Sequence, residues 1–168
     1  MSDPKIYTDS FLIYPFLICK ICEGCVFHAS KRFVGVTSDS YVDFLLDNKG
    51  SKTVHLIAIE LNSTAKAYID IYKVTSTSSK GTEIKAHCLN FKMHRTPSMK
   101  VYYGGSYNLG EVFRETVCPG GSGVFALGSL VVIGEAVVIP PNHQLVVRVT
   151  NSSAQDIDFS IRIVWWED

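Results

Sequence analysis

Residues 145–166, LVVRVTNSSAQDIDFSIRIVWW, restrict the fold of this chain more than any other stretch. In the second half, Ile157, Phe159, Ile161, Ile163 and Trp165 alternate with Asp158, Ser160, Arg162, Val164 and Trp166. That period of two marks a strand with one buried face. In the first half, Leu145, Val147 and Val149 oppose Val146, Arg148 and Thr150, and the polar residues 151–156 supply a connecting loop. Two such runs joined by a short loop predict a hairpin.

The rest of the chain is expected to follow the same pattern. Tyr41–Leu46 places Val42, Phe44 and Leu46 on one face, before the turn 47–50. Thr53–Leu61 and Ala65–Val74 flank Asn62-Ser-Thr64. In the second of these runs Ala67, Ile69 and Ile71 share a face opposite Tyr68, Asp70 and Tyr72. Further strands are expected at Phe33–Thr37, Glu83–Phe91, Met99–Tyr103, Glu111–Val117, Val124–Ile133 and Ala136–Ile139. Thr75–Thr82, Gly104-Gly105, residues 119–123 and Pro140-Pro-Asn142 read as loops or turns. No helix stands out. About nine or ten short strands at regular spacing favour an antiparallel two-sheet sandwich or barrel over βαβ units. With no repeat or linker, residues 26–168 read as one domain.

A chain of 168 residues can bury a core without staples, and its Val, Ile, Tyr and Phe suit pleated surfaces. Sixteen basic and sixteen acidic residues cancel, so no long-range field favours nucleic acid or an anionic membrane. A protein partner is expected instead. Residues 1–25 read as an N-terminal arm. The run Phe11–Cys19 is too short to span a bilayer, is broken by Pro15 and lacks a basic leader. Its Phe11, Leu12, Ile13, Tyr14, Phe16 and Leu17 are the candidate inter-subunit anchor, since an apolar arm is best buried against a neighbour.

Chemistry-bearing residues are few. Cys19, Cys22 and Cys25, with His28 close behind, carry ligand types at a knuckle-like spacing. The alternatives are free or buried structural thiols, disulfides within or between subunits, and a metal site. A structural zinc site usually needs two separated ligand pairs, and Cys88 and Cys118 each stand alone, so no metal is assigned. Ser122 in Gly120-Gly-Ser-Gly123 lacks the strand-to-helix frame of a nucleophile elbow, the five histidines are scattered, and no carboxylate pair is placed as acid and base. No phosphate-cradling loop is found. The expectation is a protein that is not an enzyme and needs no cofactor. Tyr102, Tyr103 and Tyr107 form an aromatic group open to packing or to a ligand. Lys92, His94 and Arg95 form a small basic loop that suits an acidic patch on a partner. Asn62 and Asn151 lie in Asn-x-Ser/Thr triplets that read better as turn formers than as glycan acceptors.

Several short motifs then occur in a shared order. They are Glu60-Leu-Asn-Ser63, Ala67-Tyr-Ile-Asp-Ile-Tyr-Lys73, Lys80-Gly-Thr82, Asn90-Phe-Lys-Met-His-Arg95, Pro140 through Asn151, and the closing Ile163-Val-Trp-Trp-Glu167. Over roughly residues 26–167 this order resembles a family of small tailed-bacteriophage virion structural proteins. The chain departs from that pattern at Lys73, Leu145 and Trp166, where an acidic residue, an aromatic and a tyrosine are usual, and its three-cysteine segment is no part of it. The resemblance implies a jelly-roll-like β-sandwich on the exterior of the virion, decorating or cementing a capsid. Its partners would be the major capsid protein and further copies of itself, as a dimer or trimer. A head-fibre or tail-fibre module that binds a receptor or glycan is the alternative, and no catalytic residue carries over.

Overall fold

The computed structural model describes residues 16–121, 129–131 and 137–168. Among them are a short helix, α1, over residues 16–22, and twelve strands. The strands are β1 (Val26–Val36), β2 (Tyr41–Asn48), β3 (Val54–Ser63), β4 (Ala67–Ser79), β5 (Thr82–Ile84), β6 (His87–Cys88), β7 (Met99–Tyr103), β8 (Ser106–Cys118), β9 (Ser129–Val131), β10 (Val137–Ile139), β11 (His143–Asn151) and β12 (Ile157–Glu167). One sheet runs β10-β3-β12-β1-β6 with β9 also on β3, and the other runs β5-β7-β2-β11-β4-β8. All pairings are antiparallel.

Leaving aside the short β5, β6 and β7, the chain changes sheet at β1→β2, β2→β3, β3→β4, β8→β9, β10→β11 and β11→β12. With β9 and β10 sharing one position, this is the double Greek key of a jelly roll. Between β4 and β8 the chain inserts β5, β6 and β7, which widen both sheets on the side of β1 and β2. The expected all-β sandwich is therefore present.

The expected hairpin at 145–166 is not. Strand β11 pairs with β2 and β4, whereas β12 pairs with β1 and β3 in the opposite sheet. Each strand has one continuous apolar face, and stacking Val147 and Val149 across from Ile157, Phe159 and Ile161 buries both faces in one core. Asn151 fixes the corner. Its amide donates to the Val36 and Gln155 carbonyls at 2.9 and 2.8 Å and its oxygen accepts from the Ser153 amide and hydroxyl at 2.9 and 2.7 Å.

Other boundaries move as well. Strand β1 starts at Val26 rather than Phe33. The Ser/Thr run after Val74 continues β4 to Ser79, where Thr77 and Ser79 pair with β8, which itself begins at Ser106. Glu83–Phe91 divides into β5 and β6, one in each sheet. The expected strand Val124–Ile133 falls mostly outside the described residues. The helix over 16–22 contradicts the reading without helices. Its Leu17 and Ile21, four apart on one face, lie on an outer apolar cluster of Val26, Ala58 and Val164 with Trp166.

Between the sheets, Phe27, Phe44, Phe159 and Trp165 are the largest buried side chains. Phe33 stacks on Phe159 at 5.0 Å and meets Phe44 and Tyr103 edge-on at 5.5 and 5.3 Å.

Candidate interaction face

The outer face of the second sheet gathers most of the polar and aromatic side chains that the core does not use. Cross-strand neighbours share a face, so the strand registers place these residues in rows. One row is Tyr41, Thr150, Tyr68 and Val117; the next is Asp43, Arg148, Asp70 and Glu115; the third is Tyr102, Leu45, Val146, Tyr72 and Val112. Strands β2, β11, β4 and β8 each supply one member of the charged row.

Within that row the charges are unequal. Arg148 grips Asp43 through two hydrogen bonds, Nε to Oδ1 at 2.7 Å and Nη2 to Oδ2 at 2.9 Å. Its guanidinium also lies 3.8 Å from the Tyr41 ring centroid and 5.5 Å from that of Tyr72. Asp70 and Glu115 stand directly opposite each other on β4 and β8. Burial pushes the Asp70 carboxyl above its ordinary value and the Glu115 charge adds to this, while Arg148 opposes it. One guanidinium thus faces three carboxylates.

Next to the row, Leu45 and Val146 are fully buried although they point away from the core. Lys80 lies nearby, 2.6 Å from the Asp47 carboxylate and 5.3 Å from the ring centroid of Tyr102, the cross-strand neighbour of Leu45. Thr77 donates to Gln144, which donates to Asp47. Toward β8 the face changes character. Tyr68, Val112 and Val117 are exposed around Asp70 and Glu115, Phe113 is exposed where β8 nears Val137 and Val138, and among the described residues β8 is the last strand of its sheet. An apolar, acidic strip beside a sheet edge is the surface a partner protein fits best.

The residues singled out from the sequence lie elsewhere. Phe11, Leu12, Ile13 and Tyr14 are outside the described residues. Phe16 is exposed and meets Trp166 edge-on at 5.5 Å, while Leu17 rests on the chain's own first sheet. None of the five cysteines is joined to another in a disulfide. Cys19 and Cys22 are exposed on α1, and Cys25 receives a hydrogen bond from Arg95 at 3.5 Å. No group of three or more His, Cys, Asp or Glu among the described residues could hold a metal ion. Cys118 is buried in the core, which pushes its thiol up. Ser122 is outside the described residues.

Tyr102 belongs to the outer face, Tyr103 packs on Phe33, and the Tyr107 hydroxyl donates to the Lys80 carbonyl at 2.8 Å, so that trio packs and does not form one surface. Lys92, His94 and Arg95 are exposed in the loop between β6 and β7. Asn62 is exposed, but the Asn151 amide is buried and already donates twice, so a glycan there would break the corner. The charged row escaped the sequence reading because Asp43, Asp70, Glu115 and Arg148 are far apart in the chain. The alternation of Tyr68, Asp70 and Tyr72 was its one visible trace.

No helix among the described residues is long and apolar enough to cross a membrane. Neither a protein-family model nor a curated protein matches the chain.

Proposed function

We propose that this chain is a virion structural protein that decorates or cements a phage capsid by bridging capsid subunits. The observation that carries the reading is the exposed strip of Tyr68 on β4 with Val112 and Val117 on β8, the last strand of its sheet among the described residues of a jelly roll. A rigid sandwich that keeps such a strip at its rim is built to add surface to a neighbour, and many copies sum small interface energies into shell stability. The order of short motifs from Glu60 to Glu167 supports the same role. The partners are the major capsid protein and further copies of this chain, with neither nucleic acid nor membrane involved, and the place is the capsid exterior. The role is structural and takes neither a catalytic residue nor a cofactor. In this reading Cys19, Cys22 and Cys25 are the thiols that would lock neighbouring subunits through disulfides, and the exposure of Cys19 and Cys22 on α1 supports it.

The test is to purify particles and measure whether the chain is present, in what copy number and on which surface. A fixed stoichiometry to the capsid protein, with the chain accessible to surface labelling, is expected; particles that lack it refute the role. The receptor-binding alternative is favoured by one feature, the Arg148 guanidinium between Tyr41 and Tyr72 beside two free-standing carboxylates. Specific binding of the isolated chain on a glycan array would select that reading.

A further inference from the structure

The acidic strip has a counterpart on the same molecule. Residues 90–97, between β6 and β7, carry Lys92, His94 and Arg95 and no acidic residue, and Phe91 at their head is 91% exposed. A phenylalanine so fully in water beside two cations is a poor loop filler and a good interface anchor. On the charged row, one guanidinium against three carboxylates leaves an excess of negative charge at Asp70 and Glu115, with Lys66 on Tyr68 at one end of the strip, and the loop offers cations of the opposite sign, Lys92 and, beside its hydrogen bond to Cys25, Arg95. The exposed Tyr68, Val112 and Val117 around Asp70 and Glu115 offer the apolar surface that Phe91 lacks.

One chain cannot satisfy both surfaces by itself. The loop leaves from β6 and returns to β7, on the side of the sandwich where β1 and β2 lie, whereas β8 closes the opposite edge of its sheet. We propose that the basic loop 90–97 of one copy docks on the Asp70–Glu115 strip of a second copy, head to tail. Such a contact joins two different patches, so it repeats from copy to copy and closes into a ring when the rotation allows. The contact deepens the structural role proposed above and rests on it for its setting, but its test needs no capsid.

Sedimentation of the full chain over a wide concentration range is the experiment. The native chain is expected to form concentration-dependent oligomers. Phe91→Ala weakens association about thirtyfold, as for an anchor at an interface centre. Lys92→Glu and Glu115→Lys each bring like charges together and weaken it about tenfold. The chain carrying both substitutions restores the opposite-charge pair and recovers most of the lost association. Folding is not at risk in these variants, since Lys92 is exposed and Glu115→Lys places a cation opposite Asp70 on the neighbouring strand. A native chain that is monomeric at every concentration overturns the proposal, as do oligomers that the three substitutions leave unchanged. A monomeric chain that still binds particles overturns this contact and spares the capsid role; an oligomer that ignores particles does the reverse.

Discussion

The Glu167 carboxylate lies buried under the loop that leads into β7. It accepts hydrogen bonds from the Ser98 amide at 2.9 Å, the Ser98 hydroxyl at 2.8 Å, the Met99 amide at 3.0 Å and the Trp165 indole at 3.1 Å. Glu167→Gln keeps the size but turns an amide NH2 toward these donors, which leaves buried groups unpaired at a cost of about 2–3 kcal/mol. Urea unfolding should show that loss with an unchanged m-value. His28 gives a second expectation. Burial, with Arg162 and His87 adding to it, holds its imidazole below the ordinary value of 6.5, and its Nδ1 is enclosed without a partner. Below pH 6.5 the unfolded chain binds a proton that the folded chain resists. This contribution is therefore intact above that pH and is lost as the pH falls toward the folded value. Thermal midpoints should drop between about pH 7 and about pH 5, and His28→Gln should flatten the drop. At this scale the sequence was partly legible. Asn151 was correctly read as a turn former, but a terminal glutamate that organises a loop 68 residues away leaves no local pattern.

At the scale of elements, period-two alternation found β11 and β12 because it reports a buried face, and it could not say which strand lies beside which. A short polar loop serves a hairpin and a crossing between sheets equally well. The apolar faces choose the crossing, since each then covers the other. The same limit hid the charged row, which exists only once four strands are in register. Helix α1 was missed for a different reason: Pro15 and the cysteines broke the apolar run, and seven residues are too few to show a helical period. Its stability comes from docking. Leu17 and Ile21 hold it on Trp166 and its neighbours, with Lys20 5.4 Å from the Trp166 ring centroid. Replacing both Leu17 and Ile21 by Ala should cost about 2 kcal/mol. Trp166 fluorescence should shift to the red and trypsin should cut after Lys20, while strand content by circular dichroism stays unchanged.

For the whole molecule, α1 divides the N-terminal segment in two. Residues 16–22 cover an apolar patch of the first sheet, so they belong to the folded unit. A chain starting at residue 16 keeps the Leu17 and Ile21 contacts with that patch. A chain starting at residue 26 bares Val26, Ala58, Val164 and Trp166, and should lose stability and aggregate. This difference separates two roles that one deletion of residues 1–25 would confuse. If Phe11, Leu12, Ile13 and Tyr14 anchor the chain to a capsid, the chain starting at residue 16 folds normally but no longer sediments with particles. If the strip along β8 carries the contact alone, that same chain binds as well as the full one, and Glu115→Lys with Val117→Ser releases it instead. Co-sedimentation of the two variants with capsids stripped of this chain distinguishes the anchors, and full binding by a protein carrying both changes would remove each of them.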